Sequence, residues 1–213
     1  MVFQRCFVGS GLIAFLAFGC SGGENSSIAN TTQVVQETNV TQLLIEAKAT
    51  QKAEDFFHQG NHLLDGQRYE DAIKAYDQAI AIKVENPEAW INRGIALTSL
   101  QRYKDAIASY DKAIAIKPDK YEALINQGIA LTKLHRYQDA IGSYDRAIAI
   151  KQDLHQVYYN KACSYALQSN LELAIENLDK AIELVPDKYK KLAKTDPDFN
   201  KVRSEKRFQE LLQ

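Results

Sequence analysis

Asn92, Asn126 and Asn160 recur at intervals of 34 residues. A side-chain amide at each step offers one donor group and one acceptor to the backbone of an extended peptide. Other residue types invite harder chemistry and fall short of it. His58 and His62 stand four apart with Glu54 four before them. On a helix these share one face, as zinc ligands do, but two histidines without a fixed further ligand do not make a metal site. Cys163 has no histidine at a catalytic spacing and suits a small buried apolar role. The chain shows no Ser/His/Asp spacing, no glycine-rich phosphate loop and no buried carboxylate pair. The expectation is a protein without catalysis, metal or cofactor, acting through hydrogen bonds and burial at its surface.

The elements that position those asparagines are written as a repeat of 34 residues. GIALTSLQRYKDAIASYDKAIAIKPD is followed in phase by GIALTKLHRYQDAIGSYDRAIAIKQD, and RYEDAIKAYDQAIAIK precedes both. Four copies run over 53–86, 87–120, 121–154 and 155–188, the last being looser. Gly60, Gly94, Gly128 and Ala162 fall at the eighth position, and large residues, Tyr76, Tyr110, Tyr144 and Leu178, at the twenty-fourth. Alanines fill the twentieth (Ala72, Ala106, Ala140, Ala174) and the twenty-seventh (Ala79, Ala113, Ala147, Ala181). Small residues there let two antiparallel helices approach closely while large ones fill the gaps between pairs. Each copy predicts a first helix over positions 2–14 and a second starting near the Arg-Tyr pair. Asp71, Asp105 and Asp139 then face the positive end of the second helix, and Pro118 and Pro186 follow its end. A fixed period of this length marks a stacked helical array, which works by its surface. The formal net charge of -1 supplies no field to draw the chain onto nucleic acid. Three cysteines, Cys6, Cys20 and Cys163, are too scattered for a disulfide framework.

The pattern of large residue, Gly, Ala, Tyr, Ala and Pro resembles the tetratricopeptide repeat (TPR) family. The resemblance implies an all-α right-handed superhelix of helix-turn-helix units. It also implies a concave groove lined by the first helices, at positions 2, 5, 6, 9, 12 and 13. On this chain that groove takes in Phe57, Asn61, Ile91, Asn92, Ile125, Asn126, Tyr159 and Asn160. Each asparagine either meets a ligand or satisfies neighbouring groups between repeats. Co-chaperone members of the family clamp a C-terminal carboxylate with lysines, an arginine and asparagines. Here Asn61 and Asn92 stand at the asparagine places, but Phe57, Glu122 and Asn126 hold the cationic ones. A carboxylate would be repelled, and a neutral or mildly basic, partly apolar ligand fits better. The tail, AKTDPDFNKVRSEKRFQELL (193–212), is similar to the ending of many bacterial TPR proteins. It reads as a cap in which Phe199, Val202, Phe208, Leu211 and Leu212 cover the last apolar face. From Lys188 to Arg207 eight basic residues outnumber three acidic ones, either a solvated face or a contact for an anionic surface.

Residues 1–20 read as a targeting segment. CFVGSGLIAFLAFGC is too short an apolar run to cross a bilayer but suits a secretory signal. Its end, Leu16-Ala17-Phe18-Gly19-Cys20, resembles the bacterial lipoprotein signal, which implies a lipid (palmitate) on Cys20. Cleavage without lipidation and an uncleaved, retained anchor are the alternatives. Residues 21–40, rich in Ser, Asn and Thr, are expected to form a flexible tether to an array over 41–188, with a cap over 189–213. Asn25, Asn30 and Asn39 head chance Asn-x-Ser/Thr triplets. The functional expectation is an exported, membrane-anchored adaptor or assembly factor that holds a protein or peptide partner in its groove. Two alternatives stay open. One is a structural subunit of an envelope machine, of the pilus or outer-membrane assembly type, using its convex face. The other is a soluble secreted or periplasmic protein.

Overall fold

The computed structural model describes residues 25–213, with side chains from Asn39 onward. Helix α1 is Asn25–Asp65 and α2 Tyr69–Ile82; α3 is Pro87–Ser99 and α4 Tyr103–Ile116. Then come α5 Tyr121–Lys133, α6 Tyr137–Ile150, α7 His155–Leu167 and α8 Leu171–Leu184. Helix α9 is Pro186–Thr195, a 3-10 turn covers Pro197–Phe199, and α10 is Lys206–Leu211. No strand occurs among the described residues. Residues up to Ile45 form one unit and Glu46–Gln213 a second. The tether expectation meets a difference here, because α1 begins at Asn25. No Gly or Pro stands between Gly23 and Gly60 to stop a helix propagating once started.

Helix ends carry the local logic. Asn86 accepts from the Ala89 N–H at 3.1 Å with Pro87 behind it, and Asn170 accepts from the Leu173 N–H at 3.2 Å. At the other second helices the guanidinium groups of Arg68, Arg102 and Arg136 pair with Asp71, Asp105 and Asp139 at 2.6–2.7 Å. Each carboxylate sits in the positive first turn. Every first helix ends in the same double hydrogen bond. At α3 the Gln101 N–H donates to Thr98 at 2.9 Å and the Arg102 N–H to Leu97 at 2.8 Å. This closure needs a left-handed residue, a place where glycine is usual. Here it is Gln67, Gln101, His135 and Ser169, with φ of 58–60°.

Packing inside a repeat turns on the glycines. A Cβ on Gly60, Gly94 or Gly128 would lie 2.4–2.5 Å from a ring carbon of Tyr76, Tyr110 or Tyr144. The fourth repeat reaches the same end differently: Ala162 carries the methyl and Leu178 replaces the ring, and both are wholly buried. Between repeats a polar clasp recurs. Arg93 reaches back to Asp77 at 2.6 Å and donates to Ser109 of its own repeat at 2.7 Å. Gln127 donates to Asp111 at 2.6 Å and accepts from Ser143 at 2.7 Å, and Lys161 pairs with Asp145 at 2.6 Å.

The tail closes the array in three pieces. Tyr189, Ala193, Phe199, Val202, Phe208 and Leu212 are buried in one cluster with residues of α7 and α8. Arg203 donates to the carbonyls of Ala193, Lys194 and Asp196, which closes the C-terminal end of α9. Arg207 grips Glu172 with both terminal guanidinium nitrogens, at 2.5 and 3.1 Å.

Two outcomes follow for stability. Gly94→Ala is expected to cost about 1–3 kcal/mol by overpacking, and adding Tyr110→Leu should recover most of it. Urea denaturation of the four-member cycle measures this, and additive losses would count against the contact. Gln101→Gly should stabilise by roughly 0.5–1 kcal/mol, the relieved left-handed cost less glycine's greater unfolded freedom; the same melts measure it.

Candidate protein-interaction groove

The first helices bring the asparagines onto one wall but give them different work. The Asn61 carbonyl oxygen accepts from the Tyr76 hydroxyl at 2.8 Å and from Asn92 Nδ2 at 2.9 Å. That pair ties the first repeat to the second. Asn126 is half-buried and its side chain makes no hydrogen bond among the described residues. Asn160 goes further: its Nδ2 is buried without an acceptor, and it is the one such side-chain atom among the described residues. A donor left this way costs about 1–3 kcal/mol unless something supplies an acceptor.

The apolar residues divide too. Phe57 is half-buried, its ring 6.1 Å from that of Tyr76, and it lines a cavity of about 380 Å³ with Glu54, His58 and Glu88. Ile125 is half-buried. Ile91 is 6% exposed and packs among Leu124 and Ala123, so it presents almost no surface to a ligand. Tyr159, 7% exposed, lies under the tail. Its hydroxyl donates to Asp196 at 2.7 Å, its ring stacks on Tyr189 at 4.9 Å, and Phe199 meets it edge-on at 5.7 Å. The fourth-repeat wall is therefore partly covered by the chain itself. Cys20 lies outside the described residues.

The metal and thiol candidates resolve plainly. Glu54, His58 and His62 do not converge; the ligand-type atoms that do, among the described residues, belong to Cys163, Asp196 and Asp198. Burial, then Asp196 and Asp198, push the Cys163 thiol well above its usual range, so it stays protonated and inert. Burial likewise raises the hydroxyls of Tyr76, Tyr110 and Tyr144, which act as neutral hydrogen-bond partners. Asp196 and Asp198 had no place in the groove expected from the repeats. Their signal was the Asp-Pro-Asp-Phe run, in which Pro197 ends α9 and turns both carboxylates back onto α7. Asp196 accepts the Asp198 N–H at 3.0 Å as well as the Tyr159 hydroxyl.

Burial first, and Asp196 second, raise the carboxyl of Asp198, against a smaller opposing effect of Lys133. A carboxyl raised on folding weakens the fold as it ionises, so stability is lost as pH rises past its ordinary 3.8. Asp198→Asn is therefore expected to raise the melting temperature at about pH 7 and to make no difference at about pH 3. Thermal melts across that range test it.

With this geometry in place, comparison fixes the class. Three tetratricopeptide repeat models match residues 57–121, 123–156 and 155–188. The chain belongs to the tetratricopeptide repeat family, whose members are interaction scaffolds and not enzymes. No curated protein matches it. Among solved structures it is similar to MamA, residues 41 to the end, from Desulfovibrio magneticus RS-1: 25% identity, TM-score 0.64, covering 76% of this chain and 93% of that one. It is similar to YrrB, a TPR protein with an unusual peptide-binding site, at 25% identity and TM-score 0.60, covering 76% and 84%. The first TPR of Spaghetti bound to an HSP90 peptide shares the fold at 21% identity and TM-score 0.55, covering 56% and 95%.

Proposed function

We propose that this protein is a membrane-tethered adaptor that recruits or positions a partner segment in the groove of its repeats. The observation that carries this is the unmet hydrogen-bonding capacity of Asn126 and Asn160, one repeat apart on the same wall. Half-buried Ile125, next to Asn126 in the chain, supplies apolar contact. A partner's backbone would meet the two amides, as in peptide recognition by extended main-chain pairing. The peptide-binding site that gives YrrB its description supports a groove of this kind in a similar fold. Asn61 and Asn92, bonded to each other, belong to the scaffold in this reading. Lipidation of Cys20 would hold the chain at a bacterial membrane on its exported side, where the partner belongs to an envelope assembly. No helix among the described residues is long and apolar enough to cross a membrane.

A second reading, attachment through the convex face, draws on that same Asn61–Asn92 bond, since groove amides can serve the scaffold alone. Affinity capture of the full chain from native membranes separates the two. Asn126→Ala with Asn160→Ala is expected to lower partner recovery about tenfold, two hydrogen bonds' worth. Unchanged recovery would favour the convex face. Cys20→Ala should release the chain from membranes, and retention there would remove the lipid anchor from the proposal.

A further inference from the structure

At the closed end of the groove, α5, α7 and the 3-10 turn enclose a cavity of about 180 Å³. Lys133, Gln156, Asn160, Cys163, Asp196 and Asp198 line it. The Cys163 sulfur and the nearer carboxylate oxygens of Asp196 and Asp198 lie within 4.8 Å of one another. Two carboxylates, a neutral thiol and one lysine leave the cavity with a surplus negative charge. Lys133, an exposed residue with no ion pair among the described residues, offsets only part of it. The Asp198 carboxylate accepts no hydrogen bond, although its residue is half-buried. Asn160 also lines the cavity, and beside it the Asn160 Nδ2 is buried without an acceptor. What the cavity lacks is thus a group bearing positive charge with an acceptor a few bonds away.

We infer that this cavity is a specificity pocket for a basic side chain, Lys or Arg, of the partner segment. The cation sits between Asp196 and Asp198, and a main-chain carbonyl of the same segment accepts from Asn160. The inference rests on the groove being a peptide site and adds what the peptide must carry. A cation paired with a partly buried carboxylate forms the stronger, charge-assisted kind of hydrogen bond. A divalent metal is the rival occupant, and the cavity is poorly made for it. The thiol would have to be deprotonated, and Asn160 lines the space with an amide rather than an anionic ligand. Tyr159 acts here as a positioning residue, because its hydroxyl holds Asp196 at 2.7 Å.

The test uses the full chain and two immobilised libraries of acetylated, amidated heptapeptides with uncharged residues at every place but the centre. One library has Lys there and the other norleucine, which keeps the length and removes the charge. The Lys library is expected to retain about ten times more protein, and Asp198→Asn, with its fold checked by thermal melting, should abolish that preference. Equal retention on both libraries overturns the basic pocket and leaves the groove as a peptide site. Retention on neither removes both readings. A preference that survives Asp198→Asn overturns the pocket. So does a rise in melting temperature with zinc chloride alone that is lost in Cys163→Ser, which assigns the cavity to a metal.

Discussion

Everything in the repeat array depends on how closely one helix of each pair can approach the other. The ring of Tyr76, Tyr110 or Tyr144 lies where a Cβ on the opposing glycine would sit, so the hairpin closes on bare backbone. That approach puts Ala72, Ala106 and Ala140 fully out of contact with water. It also sets the spacing at which one repeat meets the next. Close packing of this kind tolerates exchange of volume between partners better than a gain on one side. The pair Ala162 and Leu178 is such an exchange, already made within this chain.

Much of this was legible in the sequence because it recurs with the period. Glycine, alanine and tyrosine positions predicted the hairpins, and helices α2 to α8 start within a residue or so of the expected places. The left-handed closures at Gln67, Gln101, His135 and Ser169 were not legible, since none of these residue types announces positive φ. Their cause lies in the two hydrogen bonds that end each first helix, which outweigh the local preference. The long α1 was hidden for the opposite reason. Ser, Asn and Thr lower helix propensity without breaking a helix already begun.

The groove was legible as a wall and not as a set of free groups. Three equivalent asparagines look alike in one dimension, yet Asn92 is spent on Asn61 while Asn126 and Asn160 keep capacity for a ligand. Which amide is free depends on what the neighbouring repeat places at its ninth position: Asn61 answers Asn92, whereas Ile95 cannot answer Asn126. The tail then changes the fourth repeat from open wall to lined cavity, by bringing Asp196 and Phe199 against Tyr159. On the proposed reading, a terminal cap thereby becomes part of the recognition surface. That reading puts specificity where the periodic pattern stops.

The clasps between repeats bear on how such a chain changes over evolutionary time. Each interior unit carries both halves: a carboxylate at its twenty-fifth position and a nitrogen donor at its seventh, as in Asp77 with Arg93 and Asp111 with Gln127. Removing 87–120 whole would bring Asp77 opposite Gln127, and the junction would close with chemistry already present. Gain or loss of one full unit is therefore a small step for this architecture, while a change of a few residues breaks the clasp at the junction where it falls. The last unit is exempt from such exchange, because its Glu172 is held by Arg207 of the tail. Copying and deletion can act upstream of that lock, so the groove can lengthen or shorten while its closed end keeps the same chemistry.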